Sequence, residues 1–142
     1  MSIASTATRR ALQALAAEPI PVRISGRCMT PHLTEGAYVY VQAARWYWPG
    51  DVVVFHAWDG VWLVHRIIGG YPRRRGWRWL TQADRAARPD AAVPSDRVLG
   101  KLCGGECAQR LISIPPRDRL WAVSRYITFA FLHALHWEQD PR

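Results

Sequence analysis

Two short apolar runs decide the fold class of this 142-residue chain: residues 37–42, Ala-Tyr-Val-Tyr-Val-Gln, and residues 51–55, Asp-Val-Val-Val-Phe. Both are rich in β-branched and aromatic side chains and are bounded by turn-forming residues, which is typical of strands. The same pattern predicts further strands at residues 61–68, 77–81, 97–103 and 108–114. Many short strands with closely spaced turns predict a mostly β fold, built on a coiled β-sheet or partly open barrel.

The length fits one domain, residues 1–142, with the β core at 22–114. Residues 1–19 hold a short alanine-leucine run, which predicts a short N-terminal helix too weakly apolar for a transmembrane anchor. After Pro115 and Pro116 the apolar residues recur with a helical period, which predicts a C-terminal helix at 117–137. Charged residues interrupt that helix too closely for a bilayer span. We expect it to pack on the sheet or contact a partner protein, with in-plane binding to an anionic membrane as the alternative.

The net charge of +8 comes almost entirely from arginine, because Lys101 is the only lysine. Arginine binds planar anions, so the composition alone leaves nucleic acid, an anionic membrane surface and a plain solvated surface open. A run of three arginines at residues 73–75 predicts a hairpin with a basic tip between residues 69 and 76. The polar segment that follows the hairpin, residues 82–96, predicts a loop across the surface.

Cysteine usage favours a reducing compartment, and hence a cytoplasmic protein. Cys28, Cys103 and Cys107 are an odd number and too few for a disulfide framework. Cys103 and Cys107 flank a predicted hairpin turn at residues 104–106, and we expect both to be structural. A zinc site would need two more ligands at similar spacing, and we expect none.

Residues 25–33, Ser-Gly-Arg-Cys-Met-Thr-Pro-His-Leu, are the candidate for chemistry. Gly26 permits a close backbone approach and Pro31 opposes an immediate helix, so Cys28 between them can lie exposed at a strand end. A cysteine becomes a nucleophile only when a neighbouring group lowers its pKa or takes its proton. His65 can supply that base, and either Asp90 or Asp84 can hold its other ring nitrogen.

Four blocks in order resemble the signal peptidase I family and the related self-cleaving repressor peptidases. Residues 26–31 resemble the family's Gly-x-Ser-Met-x-Pro nucleophile box, and residues 49–53 resemble the Gly-Asp strand that follows it. Residues 64–68 resemble the general-base box. Residues 80–90 with 98–101 resemble the Gly-Asp-Asn box and the closing strand.

The chain departs from the family pattern at three places. Cys28 stands where the family has serine, so the nucleophile is a thiol, native or engineered, or the site is an inactive relic. His65 replaces the usual bacterial lysine base, as in the similar archaeal and endoplasmic-reticulum enzymes. Ala83 and Arg85 stand where the third box has Gly and Asn, which weakens the assignment of Asp84 relative to Asp90.

The resemblance implies an endopeptidase that cleaves an extended peptide or protein precursor without a cofactor or metal. Cys28 would attack with His65 as base, and the backbone N–H of Cys28 would hold the oxyanion, with Gly26, Met29 and Pro31 lining the substrate site. One alternative is a catalytically inactive peptidase-like module that binds a peptide or membrane. The other is a self-cleaving repressor-type domain, but about 20 residues before Val22 cannot hold a DNA-binding helix-turn-helix, so no nucleic-acid partner is expected.

Overall fold

The computed structural model describes residues 18–24, 33–57, 62–106 and 108–137, with side chains as far as residue 133. Within them the chain is mostly β, with 42% strand and 24% helix, and forms a curled seven-strand antiparallel half-barrel, which confirms the predicted fold class. The predicted N-terminal helix lies outside the described residues. The strands are β1 (Ile20–Arg23), β2 (Tyr38–Gln42), β3 (Val52–His56), β4 (Trp62–Arg73), β5 (Gly76–Gln82), β6 (Val93–Pro94) and β7 (Val98–Gly105).

The strand order in the sheet is β1-β2-β7-β3-β4-β5-β6. Strand β3 lies near the centre, and its first four residues are buried because apolar clusters cover both of its faces. Register shifts at Tyr40/Val41, Val54/Phe55 and Ile67/Gly69 interrupt three of the ladders. Such irregularities increase the local twist, which bends the sheet into a half-barrel.

The hairpin with a basic tip is confirmed, but its first strand is longer than the sequence pattern predicted. β4 continues through Pro72 to Arg73, and β5 begins at Gly76. β3 pairs with β4 only as far as Arg66, so on that edge no strand of the described residues pairs with β4 at Pro72. A proline there costs no ladder hydrogen bond on the unpaired side, and the strand is not broken.

The predicted strand at 108–114 is wrong. The segment forms a short helix, α1 (Gln109–Ile112), whose neighbour Ala108 and member Leu111 are buried in the core. Both edges of β7 are already paired, with β2 and with β3, so the chain that leaves β7 finds no free edge beside it. The predicted hairpin at 104–106 is therefore also wrong, since β7 runs to Gly105 and residues 108–137 contain no strand; Cys107 lies outside the described residues.

The predicted C-terminal helix is confirmed as α2 (Pro116–Trp137). One face packs on the sheet, where fully buried Ala122 joins Ile68 and Leu80 in an apolar cluster. The Tyr126 ring lies over Gly69, where an added Cβ would meet the ring at 2.2 Å. Among the described residues, no helix combines the length and apolarity needed to cross a bilayer.

Candidate active site

Strand β4 presents His65 and Arg66 on opposite faces of the sheet, because successive side chains of a strand alternate. Both side chains are buried. The imidazole of His65 lies edge-on to the Phe55 ring, with 5.5 Å between ring centroids. Each of these buried polar side chains requires a partner on its own face of the sheet.

Asp90 is the partner of His65. Its Oδ2 lies 2.5 Å from Nδ1 of the imidazole. Asp90 is itself held by strand β5, since Thr81 Oγ1 donates to the same Oδ2 at 2.8 Å and the Asp90 backbone N–H donates to the Thr81 carbonyl at 2.8 Å. A carboxylate fixed in this way orients the ring of a histidine and selects its tautomer.

With Nδ1 donating to Asp90, the neutral ring carries its unshared electron pair on Nε2. Nε2 is buried and has no hydrogen-bond partner among the described parts of the chain. Buried imidazole nitrogens are normally satisfied, so an unpaired one calls for an explanation such as a catalytic role. A neutral imidazole oriented by a carboxylate is the arrangement of a general base.

Asp84 lies on the other face of β4, with Arg66. Arg66 Nε and Nη2 donate to the two carboxylate oxygens of Asp84 at 2.8 and 2.9 Å, and Nη1 donates to the Gly50 carbonyl at 2.9 Å. Asp118 of helix α2 lies 3.9 Å from the same guanidinium. Burial alone would lower the pKa of Arg66, but the hydrogen bonds and charge of Asp84, with that of Asp118, raise it above its ordinary value.

The structure thus brings together His65 and Asp90, and it engages Asp84 in an ion pair with Arg66 instead. The predicted nucleophile Cys28 and the predicted substrate-site residues Gly26, Met29 and Pro31 lie in residues 25–32, outside the described parts of the chain. The residues on either side, Ile24 and Leu33, are both buried in the same core cluster.

Hydrogen bonds from side chains hold the loop between β5 and β6 in place. Gln82 Nε2 donates to the Ala86 carbonyl at 2.8 Å, and Arg125 of helix α2 donates to the Ala87 carbonyl and lies 3.4 Å from Gln82 Oε1. These contacts, with the Arg66–Asp84 pair, fix the segment that carries Asp90. The sequence analysis missed the parts played by Thr81, Gln82 and Arg125, although four consecutive buried positions ending in Thr-Gln at the end of β5 mark polar side chains that need partners.

A cavity of about 150 Å³ adjoins Asp90 on the His65 face. Its lining is mostly apolar and comprises Phe55, His56, Ala57, Leu63, Asp90, Ala91, Val93 and Arg97. A space of this size beside the His65–Asp90 pair can take one small or medium apolar side chain of a peptide.

Cys103 differs from a reactive cysteine. Burial raises the pKa of the Cys103 thiol, and the nearby charge of Lys101 offsets this rise only in part. Its Sγ lies 3.4 Å from the Tyr40 carbonyl, to which the protonated thiol donates. Within the described residues, no group of three His, Cys, Asp or Glu side chains is arranged to hold a metal ion.

Comparison with known proteins adds no family assignment: no family model matches the sequence, and no curated protein matches it.

Proposed function

We propose that this protein is an endopeptidase in which Cys28 is the nucleophile, His65 the general base and Asp90 the residue that orients His65. The observation that carries the proposal is the environment of the two ring nitrogens of His65. Its Nδ1 lies 2.5 Å from Asp90, and its buried Nε2 has no partner within the described residues. The four sequence blocks that resemble signal peptidase I add the nucleophile, since the first of them contains Cys28.

In the first half of the reaction, the thiol proton of Cys28 passes to His65 Nε2 and the sulfur attacks the scissile carbonyl carbon. The oxyanion accepts a hydrogen bond from the backbone N–H of Cys28. The tetrahedral intermediate collapses when its C–N bond breaks, and the imidazolium returns the proton to the leaving amine. A thioester on Cys28 and a free amino terminus result.

In the second half, His65 Nε2 takes a proton from water, and the hydroxide attacks the thioester carbonyl. The C–S bond breaks and the sulfur takes the proton back from the imidazolium, which restores Cys28 and leaves a carboxylic acid that loses its proton to solvent. Asp90 stays ionised throughout and stabilises the imidazolium formed in each half. The chemistry requires no metal or cofactor.

The shape of the site supports a proposal for the substrate class. An extended peptide can pair along a strand edge while one side chain enters the apolar cavity beside Asp90. We therefore propose a peptide or protein precursor with a small or medium apolar residue near the cleaved bond. The three cysteines of the chain suit a reducing compartment, so we place this activity in the cytoplasm.

The test is mass spectrometry of a candidate precursor, such as one encoded nearby, after incubation with the protein and its variants. We expect Cys28→Ala and His65→Ala to abolish cleavage without unfolding the domain, and Cys28→Ser to retain some. Cys103→Ala is the matched control and should cleave normally. Cleavage that survives Cys28→Ala would refute the proposal.

A second candidate is a catalytically inactive peptide-binding module. Exposed aromatic side chains favour it, since Tyr38, Tyr40, Trp46, Trp48 and Trp62 all remain at the surface. Such rings supply contact area at low entropic cost. This function predicts that Cys28→Ala binds a peptide as tightly as the unaltered protein and that neither cleaves it.

A further inference from the structure

Helix α2 carries an apolar stripe on the face turned away from the sheet. Its members follow one another at steps of three, four and four residues, which places them on one side of a helix. They are Leu120, Val123, Ile127 and Phe131, with exposed fractions of 70%, 40%, 61% and 64%. Large apolar side chains grouped in this way in water mark a contact surface.

The stripe cannot turn inward, because the opposite face of α2 is already occupied. Ala122 is fully buried against the sheet. The Tyr126 ring covers Gly69, and the Tyr126 hydroxyl donates to the Gly70 carbonyl at 2.9 Å. Any rotation that buried the stripe would break these contacts, so its partner must come from outside the described fold.

The surroundings of the stripe are basic. Arg117 lies at the start of α2 with 74% of its side chain exposed. The only acidic residue of the helix is Asp118, whose carboxylate lies 3.9 Å from Arg66 Nη1 and 3.6 Å from Arg117 Nε, on the side of the helix opposite the stripe. The stripe therefore has no acidic neighbour on its own helix.

The basic tip of the β4–β5 hairpin extends toward the same end of helix α2 as Phe131. Contacts of Asp118 with Arg66 and of Tyr126 with Gly70 show that α2 runs beside β4 in the same direction. Continuing both elements at about 1.5 Å per helical residue and about 3.3 Å per strand residue brings the exposed arginines 73–75 to the level of the end of the stripe.

We propose that α2 docks the domain in the plane of an anionic membrane surface. The stripe enters the boundary between headgroups and acyl chains, while Arg117 and the arginines of the hairpin tip contact lipid phosphates. A second copy of the chain fits less well, because each copy carries a net charge of +8 and the one acid of the helix, Asp118, already lies beside Arg66 and Arg117 of its own chain. The proposal does not depend on peptidase activity.

The experiment is co-sedimentation of the full-length protein with phosphatidylcholine vesicles, with and without phosphatidylglycerol. We expect binding that requires phosphatidylglycerol and weakens as NaCl is raised, because salt screens exposed charges. The double variant Ile127→Gln/Phe131→Gln should lose about tenfold or more in affinity. Thr128→Gln is the matched control, since Thr128 is exposed on the same helix outside the stripe, and it should bind normally.

A second arm replaces arginines 73–75 by glutamine, which should weaken binding to the anionic vesicles by about fivefold for each arginine removed. Circular dichroism checks that each variant is folded, and the single variant Ile127→Gln replaces the double variant if the latter is not. Absence of binding, equal binding to both vesicles, or unchanged binding of the stripe variant would each overturn the proposal. So would a dimer of the unaltered protein that the stripe variant converts to a monomer, because a second copy would then cover the stripe.

Discussion

Asp84 and Asp90 lie six residues apart in one loop, and the structure predicts opposite consequences for the same isosteric change in each. Asp84→Asn leaves the guanidinium of Arg66, which is 3% exposed, facing a neutral amide. Removing one partner of a buried ion pair costs about 3–5 kcal/mol. The amide oxygen can still accept one hydrogen bond and Asp118 remains 3.9 Å away, so we expect a loss of about 2–4 kcal/mol in the free energy of unfolding.

Asp90→Asn should change the reactivity of the Cys28 thiol, and it should change the free energy of unfolding much less than Asp84→Asn does. The amide can donate to His65 Nδ1 and so favour the wrong tautomer, which removes the unshared pair from Nε2. We expect iodoacetamide to alkylate Cys28 at least about tenfold more slowly near neutral pH in Asp90→Asn, and at the unaltered rate in Asp84→Asn.

Thermal unfolding followed by circular dichroism measures the first effect, and peptide mapping after timed alkylation measures the second. A loss of about 2–4 kcal/mol corresponds to a fall in Tm of roughly 5–15 °C for a chain of this size. The reasoning is refuted if Asp84→Asn slows alkylation of Cys28 while Asp90→Asn leaves its rate unchanged.

Three further outcomes are expected. Because burial raises the pKa of the Cys103 thiol above its ordinary value, its alkylation should stay slow at neutral pH and accelerate only in more alkaline solution, as peptide mapping would show; rapid reaction at pH 7 would contradict this. Gly69→Ala should lower the free energy of unfolding by about 1–3 kcal/mol, since the new methyl group meets the Tyr126 ring, and its cost should be smaller in a Tyr126→Ala background. Arg125→Gln removes the donor to the loop after β5, so trypsin should cleave faster within residues 85–88, and unchanged cleavage would show that Arg125 does not restrain the loop.

The sequence predicted the elements whose identity depends on local pattern. Alternating and continuous apolar runs identified the strands, and a helical period after Pro116 identified α2. It failed at residues 108–114, because strand formation there depends on a free sheet edge, and pairing on both sides of β7 leaves none. Edge availability is a property of the assembled sheet and has no local signature.

For the candidate site, the resemblance to signal peptidases named both acids and favoured Asp90 over Asp84 only because of the departures at Ala83 and Arg85. The assignment depends on strand alternation: His65 and Arg66 are adjacent, so they face opposite sides of β4 and each needs an acid on its own side. Thr81 on β5 holds Asp90 beside the imidazole, and Asp84 at the start of the loop reaches the guanidinium.

The placement of His65 and Arg66 on opposite faces of β4 connects the candidate site to the helix that carries the apolar stripe. Asp118 of α2 lies beside Arg66, and Arg125 of α2 donates to the Ala87 carbonyl in the loop that carries Asp90. The helix therefore supports the position of the His65–Asp90 pair through contacts on the opposite face of the sheet. Any partner that binds the exposed face of α2 leaves these contacts in place, because they lie on the other side of the helix. Docking through the stripe is therefore compatible with an intact His65–Asp90 pair, and the two proposals can be tested on the same full-length protein with separate sets of variants.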